Sequence, residues 1–191
     1  MKIFNRSILF IASAFALTLF SCSEEEKIIG LDYAAKYGKI AVTFEGTRLD
    51  EKAFKTTKVF QFLPDSGPDY SMVYGDATVK SFEVQRMHGA VDNIHNDNYA
   101  YFYLSASSGV PTSCNFYVGT FNIDSDDIYY YLSENFSLTP ENITNYNYNE
   151  ETGKLTYQFS VVVPAINSST AHDLTITGSV NVTVFKNIAA S

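Results

Sequence analysis

The chain has 191 residues, of which 46% are hydrophobic and 18% charged, with a formal charge of −8, no Trp and two Cys. That length suits one domain with a short tail, and 5 Pro with 10 Gly are too few for a collagen-like or low-complexity chain. The acidic balance repels nucleic acid and anionic headgroups, so neither is expected as a partner through a basic surface.

Residues 1–21 differ in kind from the rest. Lys2 and Arg6 give a short basic start, and residues 8–20 form an apolar run of 13 broken only by Ser13 and Thr18, the length and grammar of a signal peptide. A spanning helix needs ~20 apolar residues, so this run is expected to be removed and not retained as an anchor. Leu19-Phe20-Ser21-Cys22 resembles the bacterial lipobox, in which the Cys thiol is lipidated and cleavage falls just before it. Ser23, Glu24, Glu25, Glu26 and Lys27 follow, a sequence similar to the acidic export signal of surface-exposed lipoproteins of Bacteroidota. The resemblance covers residues 19–27. It implies attachment to the outer membrane through Cys22, facing the cell exterior, and says nothing about the domain behind it. One acyl chain holds a protein only reversibly, whereas a second makes the attachment durable.

The expected organisation is therefore a signal peptide over residues 1–21, a lipidated N-terminus and tether over 22–38, and one β domain over 39–191. Without Lys2 and Arg6 the exported chain of 170 residues has 11 basic residues against 21 acids, a charge of −10. With Cys22 lipidated, Cys114 is a lone thiol without a disulfide partner, and it reads as a small buried hydrophobe.

Along the chain, Asp32 and Gly38 bracket one or two helical turns. Strands are then expected at residues 40–45, 58–63, 70–74, 79–87, 99–105 and 115–123, separated by Gly-, Pro-, Asp- and Asn-rich loops at 64–69, 88–98 and 105–113. Two further helical turns are suggested. Ser125 caps one running into 128–132, and Thr139 caps another with Pro140 at its first position. Residues 144–186 read as three meandering strands. In the middle one Leu155, Tyr157, Phe159, Val161 and Val163 alternate with Thr156, Gln158 and Ser160, and the strand stops at Pro164. In the last, over 174–185, Leu174, Ile176, Gly178, Val180, Val182 and Val184 share one face. Gly153 suits the positive φ of the turn before the middle strand. Some nine short strands at this spacing predict an all-β fold, an antiparallel β-sandwich or, as the alternative, a lipocalin-like barrel.

The chemistry-bearing residues form no recognisable constellation. His88, His95 and His172 lack zinc-ligand spacing, and no metal or cofactor is expected. A haem held by Met87, His88 or His172 matches no motif residue for residue. Asp124, Asp126 and Asp127 begin like a calcium loop, but Tyr129 stands where an EF-hand needs Gly and Asn135 where it needs Glu. Those acids, or Asp92, Asn93 and Asp97, leave only a non-EF-hand calcium site open. No Gly-x-Ser-x-Gly elbow is present, so an enzyme is not expected and a hydrolase ranks last.

Aromatic usage remains. All 14 Tyr lie beyond the signal peptide, with Tyr99, Tyr101 and Tyr103 on one face of a strand and Tyr129, Tyr130 and Tyr131 in a row. Tyrosine combines an apolar body with a polar tip, so such rows suit stacking on sugars or packing against a partner, although strands also use Tyr freely in ordinary packing. The expected function is a lipid-anchored binding or accessory protein for a glycan, a peptide or a nutrient, with a polysaccharide or peptide ligand or an outer-membrane transporter as partner. A structural or adhesive, fimbria-like subunit is the alternative.

Overall fold

The computed structural model describes residues 36–62, 71–88, 99–121 and 131–186. Within them the chain forms β1 (Gly38–Thr47), β2 (Ala53–Gln61), β3 (Ser71–Gly75), β4 (Val79–Met87), β5 (Tyr99–Ser107) and β6 (Val110–Phe121). It continues with β7 (Tyr131–Leu138), a 3-10 turn (Pro140–Asn142), β8 (Ile143–Asn149), β9 (Lys154–Val163), β10 (Leu174–Thr183) and β11 (Phe185–Lys186). The fold is all-β. The strands join in the order β7-β6-β5-β4-β2-β1-β10-β9-β8, all antiparallel, with β3 on β4 and the two-residue β11 parallel to β3.

A narrow neck divides this sheet. Among the described residues, strands β2 and β4 share only the pair Gln61 and Met87, and the path bends there into two layers, β2-β1-β10-β9-β8 and β7-β6-β5-β4-β3. The layers face each other through aromatic rings. Phe116 lies 4.8 Å from Phe159, Phe102 meets Tyr157 edge-on at 5.5 Å, and Phe82 meets Tyr148 edge-on at 4.8 Å. This is a sandwich arrangement. The sheet does not close into a barrel, because β7 and β8 do not pair with each other and remain its two edges.

Period-two patterning decides which faces meet. Leu174, Ile176, Val180, Val182 and Val184 are buried as the alternation requires, and Leu155, Tyr157, Phe159 and Val163 answer them from β9. Gly178 completes that row, and the Phe159 ring lies across it: a Cβ there would stand 2.3 Å from two ring carbons. The glycine therefore makes room for a large aromatic ring. Cys114 is buried as expected, 3.9 Å from the Tyr157 hydroxyl, and burial pushes its thiol up to about 12.

Three local expectations are corrected. The loop expected at 105–113 is mostly strand, because Ser108 and Gly109, at φ 50° and 78°, make a two-residue hairpin turn. The helical turn expected to run into 128–132 lies mainly outside the described residues, but its end belongs to strand β7. There Leu132, Glu134, Phe136 and Leu138 all point inward, and the acid in that row masks the alternation. The strand expected over 174–185 ends at Thr183, where the Val184 amide donates to Gly153 and Phe185 moves to β3. The turn at Pro140 forms as read, with the Thr139 and Asn142 side chains closing a capping box. Gly153 takes φ 70°. Of the turn bracketed by Asp32 and Gly38, residues 32–35 lie outside the described residues.

Candidate functional site

Burial of alternate residues on β3 to β7 leaves the other half facing outward, and on that face the tyrosines collect. On β5, Ala100, Phe102, Leu104 and Ala106 are buried, so Tyr99, Tyr101 and Tyr103 share the outer face. Cross-strand register sets their neighbours. Tyr101 stands between Gln85 and Tyr117, and Tyr103 between Glu83 and Asn115. Tyr99 stacks on Tyr117 with ring centroids 4.8 Å apart, and Ser133 donates to the Tyr117 hydroxyl at 3.2 Å. Tyr74 adds a fifth ring from β3.

Glu83 ties this face together. The Tyr101 hydroxyl donates to its Oε1 at 3.0 Å and the Tyr74 hydroxyl to its Oε2 at 3.3 Å. Burial, and then the nearby Glu83 charge, raise the Tyr74 phenol above its ordinary value, so it stays a donor at neutral pH. Tyr103, 39% exposed, is the most open ring of the five and stands beside this clamp. Among the described strand residues, Glu83 is the only charged side chain on this outer face; Ser, Asn and Gln fill the places between the rings. Among the described strand residues the result is a surface of rings, hydroxyls and amides with one charge.

The opposite outer face is chemically different. Its described positions on β1, β10 and β9 carry Thr43, Thr177, Ser179, Gln158 and Ser160, with no aromatic ring among them. A shallow trough of about 400 Å³ runs over these residues beneath the turn at Glu141 and Asn142.

A third concavity lies where the β3–β4 turn meets the β8–β9 turn. Two adjoining hollows of about 330 Å³ and about 450 Å³ share Ala77, Lys80, Tyr148 and Glu150. Lys80 donates to the Asp76 carbonyl at 2.8 Å and to Glu150 at 3.3 Å, and its ammonium stands 5.9 Å from the centre of the Tyr148 ring. Lys186 reaches the same Glu150 oxygen at 3.2 Å. Hydrogen bonds from Lys186 and Lys80 hold the Glu150 carboxyl below its usual range. Asp76 Oδ1 accepts the Thr78 and Val79 amides at 2.7 and 2.9 Å, which fixes the turn that carries Lys80.

Of the residues singled out in the sequence, the structure thus brings Tyr99, Tyr101 and Tyr103 onto one face. Tyr129 and Tyr130 lie outside the described residues, and Tyr131 is placed only as the first residue of β7, paired with Phe121. Cys22, Ser23, Glu24, Glu25 and Glu26 also lie outside them, as do His95 and the candidate calcium acids Asp92, Asp97, Asp124, Asp126 and Asp127. His88 lies within hydrogen-bonding distance of the Val59 carbonyl, at 2.8 Å, and His172 stands 3.5 Å from Glu51, so the two serve separate contacts. No group of three or more metal-ligating side chains occurs among the described residues. Tyr74, Glu83 and Tyr117 were not picked out in the sequence. Their place follows from strand register, which a single strand's alternation does not reveal. No family model, curated protein or solved structure matches the chain.

Proposed function

We propose that this chain is a lipid-anchored, surface-exposed binding protein of a Bacteroidota-type outer membrane, and that its ligand is a glycan held on the tyrosine face of β3 to β7. The observation that carries the reading is the asymmetry of the two outer faces. On their described strand positions, one presents Tyr74, Tyr99, Tyr101, Tyr103 and Tyr117 amid hydroxyls and amides with Glu83 as the single charge, and the other presents no ring. Pyranose rings offer apolar C–H faces bordered by hydroxyls, which matches ring faces bordered by hydrogen-bonding groups. Fixed rings also lose little conformational freedom on binding, and Tyr74 and Tyr101 are already held by Glu83. The lipobox-like Cys22 and the acids after it supply the location, where a glycan is a natural encounter.

The test has two arms. In cells, Cys22→Ala is expected to abolish lipid labelling and membrane retention, and replacing Glu24, Glu25 and Glu26 with Ala is expected to keep lipidation while lowering protease accessibility at the surface. Normal retention of Cys22→Ala would refute the anchor. In vitro, the purified protein is screened against an array of polysaccharides and peptides. Saturable polysaccharide signals are expected, and peptide signals alone would replace glycan by peptide as the ligand.

A further inference from the structure

We propose that the cleft between the β3–β4 and β8–β9 turns is a subsite for one uncharged sugar residue, the end unit of the glycan on the tyrosine face. This inference rests on the glycan reading of that face. Continuity comes from Tyr74, which lines the 450 Å³ hollow while its hydroxyl binds Glu83 on the face itself. A chain lying over Tyr103 and Tyr74 therefore has the cleft at its end.

The chemistry of the cleft selects the ligand class. Small-molecule sites span roughly 300–1,000 Å³, so hollows of about 330 and 450 Å³ suit a single ring-sized guest. Lys80 and Lys186 both pair with Glu150, and the Asp76 carboxyl feels the Lys80 charge, so the formal charges balance and leave no excess to capture a phosphate or a carboxylate. What remains is hydrogen-bonding capacity. Both lysines sit on Oε1 of Glu150, so among the described residues Oε2 is left to accept from a hydroxyl. The Tyr146 and Tyr148 hydroxyls likewise make no hydrogen bond among the described residues, although Tyr146 is half-buried. Adjacent carboxylate and phenol groups around a ring face match the vicinal hydroxyls and apolar C–H face of a pyranose. The salt-bridged Lys80 and Glu150 hold these groups in place before any ligand arrives.

The test titrates isotopically labelled, purified protein with glucose, galactose, N-acetylglucosamine and glucuronate while backbone amide shifts are followed. At least one neutral sugar is expected to give saturating, millimolar-range shifts at Ala77, Thr78, Lys80 and residues 146–150. Glu150→Gln, at an exposed position, is expected to weaken that binding about tenfold, as is Tyr148→Ala, with Thr177→Ala, on the opposite outer face, leaving it unchanged. Tyr148→Phe keeps the ring on Phe82 and guards against a folding artefact. Absence of saturating shifts, or equal affinity in Glu150→Gln, would overturn the subsite. So would glucuronate binding about tenfold tighter than every neutral sugar, which would assign the cleft to an anion. Polysaccharide binding that depends on Tyr101 and Tyr103 without any monosaccharide shift would sink the cleft alone. Loss of both would sink the glycan reading as well.

Discussion

Substituting Gly178 by Ala tests how the two layers are held apart. The added methyl would stand 2.3 Å from Cε1 and Cζ of Phe159 and 3.1 Å from the Ala41 carbonyl oxygen. Carbon atoms in contact sit about 3.5–4.0 Å apart, so the ring must retreat by more than about 1 Å. The ring packs among Phe116 at 4.8 Å, Phe136 at 6.2 Å and Tyr157 at 6.3 Å, all buried, so displacing it disturbs the core. Overpacking of this kind costs about 1–3 kcal/mol, offset by about 0.4–1 kcal/mol because alanine restricts the unfolded chain. A net loss of about 1–2 kcal/mol corresponds, at roughly 2–4 °C per kcal/mol for a domain of this size, to a Tm lower by about 2–8 °C. Thermal unfolding followed by circular dichroism reads this directly. The decisive control is the double mutant. In a Phe159→Leu background the same alanine should cost almost nothing, giving a coupling energy above about 0.5 kcal/mol. A Gly178→Ala protein as stable as the parent, or an identical penalty in both backgrounds, would refute the packing argument.

Two further substitutions probe buried groups. Glu134, 1% exposed, accepts the Ser169 amide at 2.9 Å and the Ser169 hydroxyl at 2.6 Å, both on Oε1. Burial raises its carboxyl above the ordinary value against the opposing pull of these donors, so its contribution to stability is full below about pH 4.5 and declines as pH rises through the native value. Glu134→Gln keeps the Oε1 acceptor and removes the charge. Its Tm should exceed the parent's at pH 7, with the gap closing near pH 4, and a lower Tm at pH 7 would contradict the assignment. Glu134→Leu strands the Ser169 amide and should cost about 1–3 kcal/mol in urea unfolding. Cys114, with its thiol pushed up to about 12 by burial, should react with a thiol-specific reagent only as fast as the protein unfolds; rapid labelling of native protein would contradict its burial.

What the sequence discloses follows from which interactions are local. The row Leu174 to Val184 alternates without interruption and the row Leu155 to Val163 breaks only at Val162, so β9 and β10 are legible in the sequence, including their mutual pairing. Strand β7 is not, because Glu134 occupies an inward position and is satisfied by a loop 35 residues away. The tyrosine face is half legible. Tyr99, Tyr101 and Tyr103 declare a shared side by spacing alone, whereas Tyr74, Glu83 and Tyr117 join them only once the strands are in register. The cleft is invisible in the sequence, since Lys80 and Glu150 meet across 70 residues and two turns. Its charges had no local pattern to distinguish them from solvated lysines and acids.

Glycan binding by one face of the sandwich is the proposed role. Its most direct test is the affinity, by titration calorimetry, of the polysaccharide that the array selects for Tyr101→Ala, Tyr103→Ala and, on the opposite outer face, Thr177→Ala. Each tyrosine substitution is expected to weaken binding about tenfold, or about 1.4 kcal/mol, with Thr177→Ala indistinguishable from the parent. Binding unaffected by both tyrosine substitutions, or lost on replacing Thr177, would contradict the account.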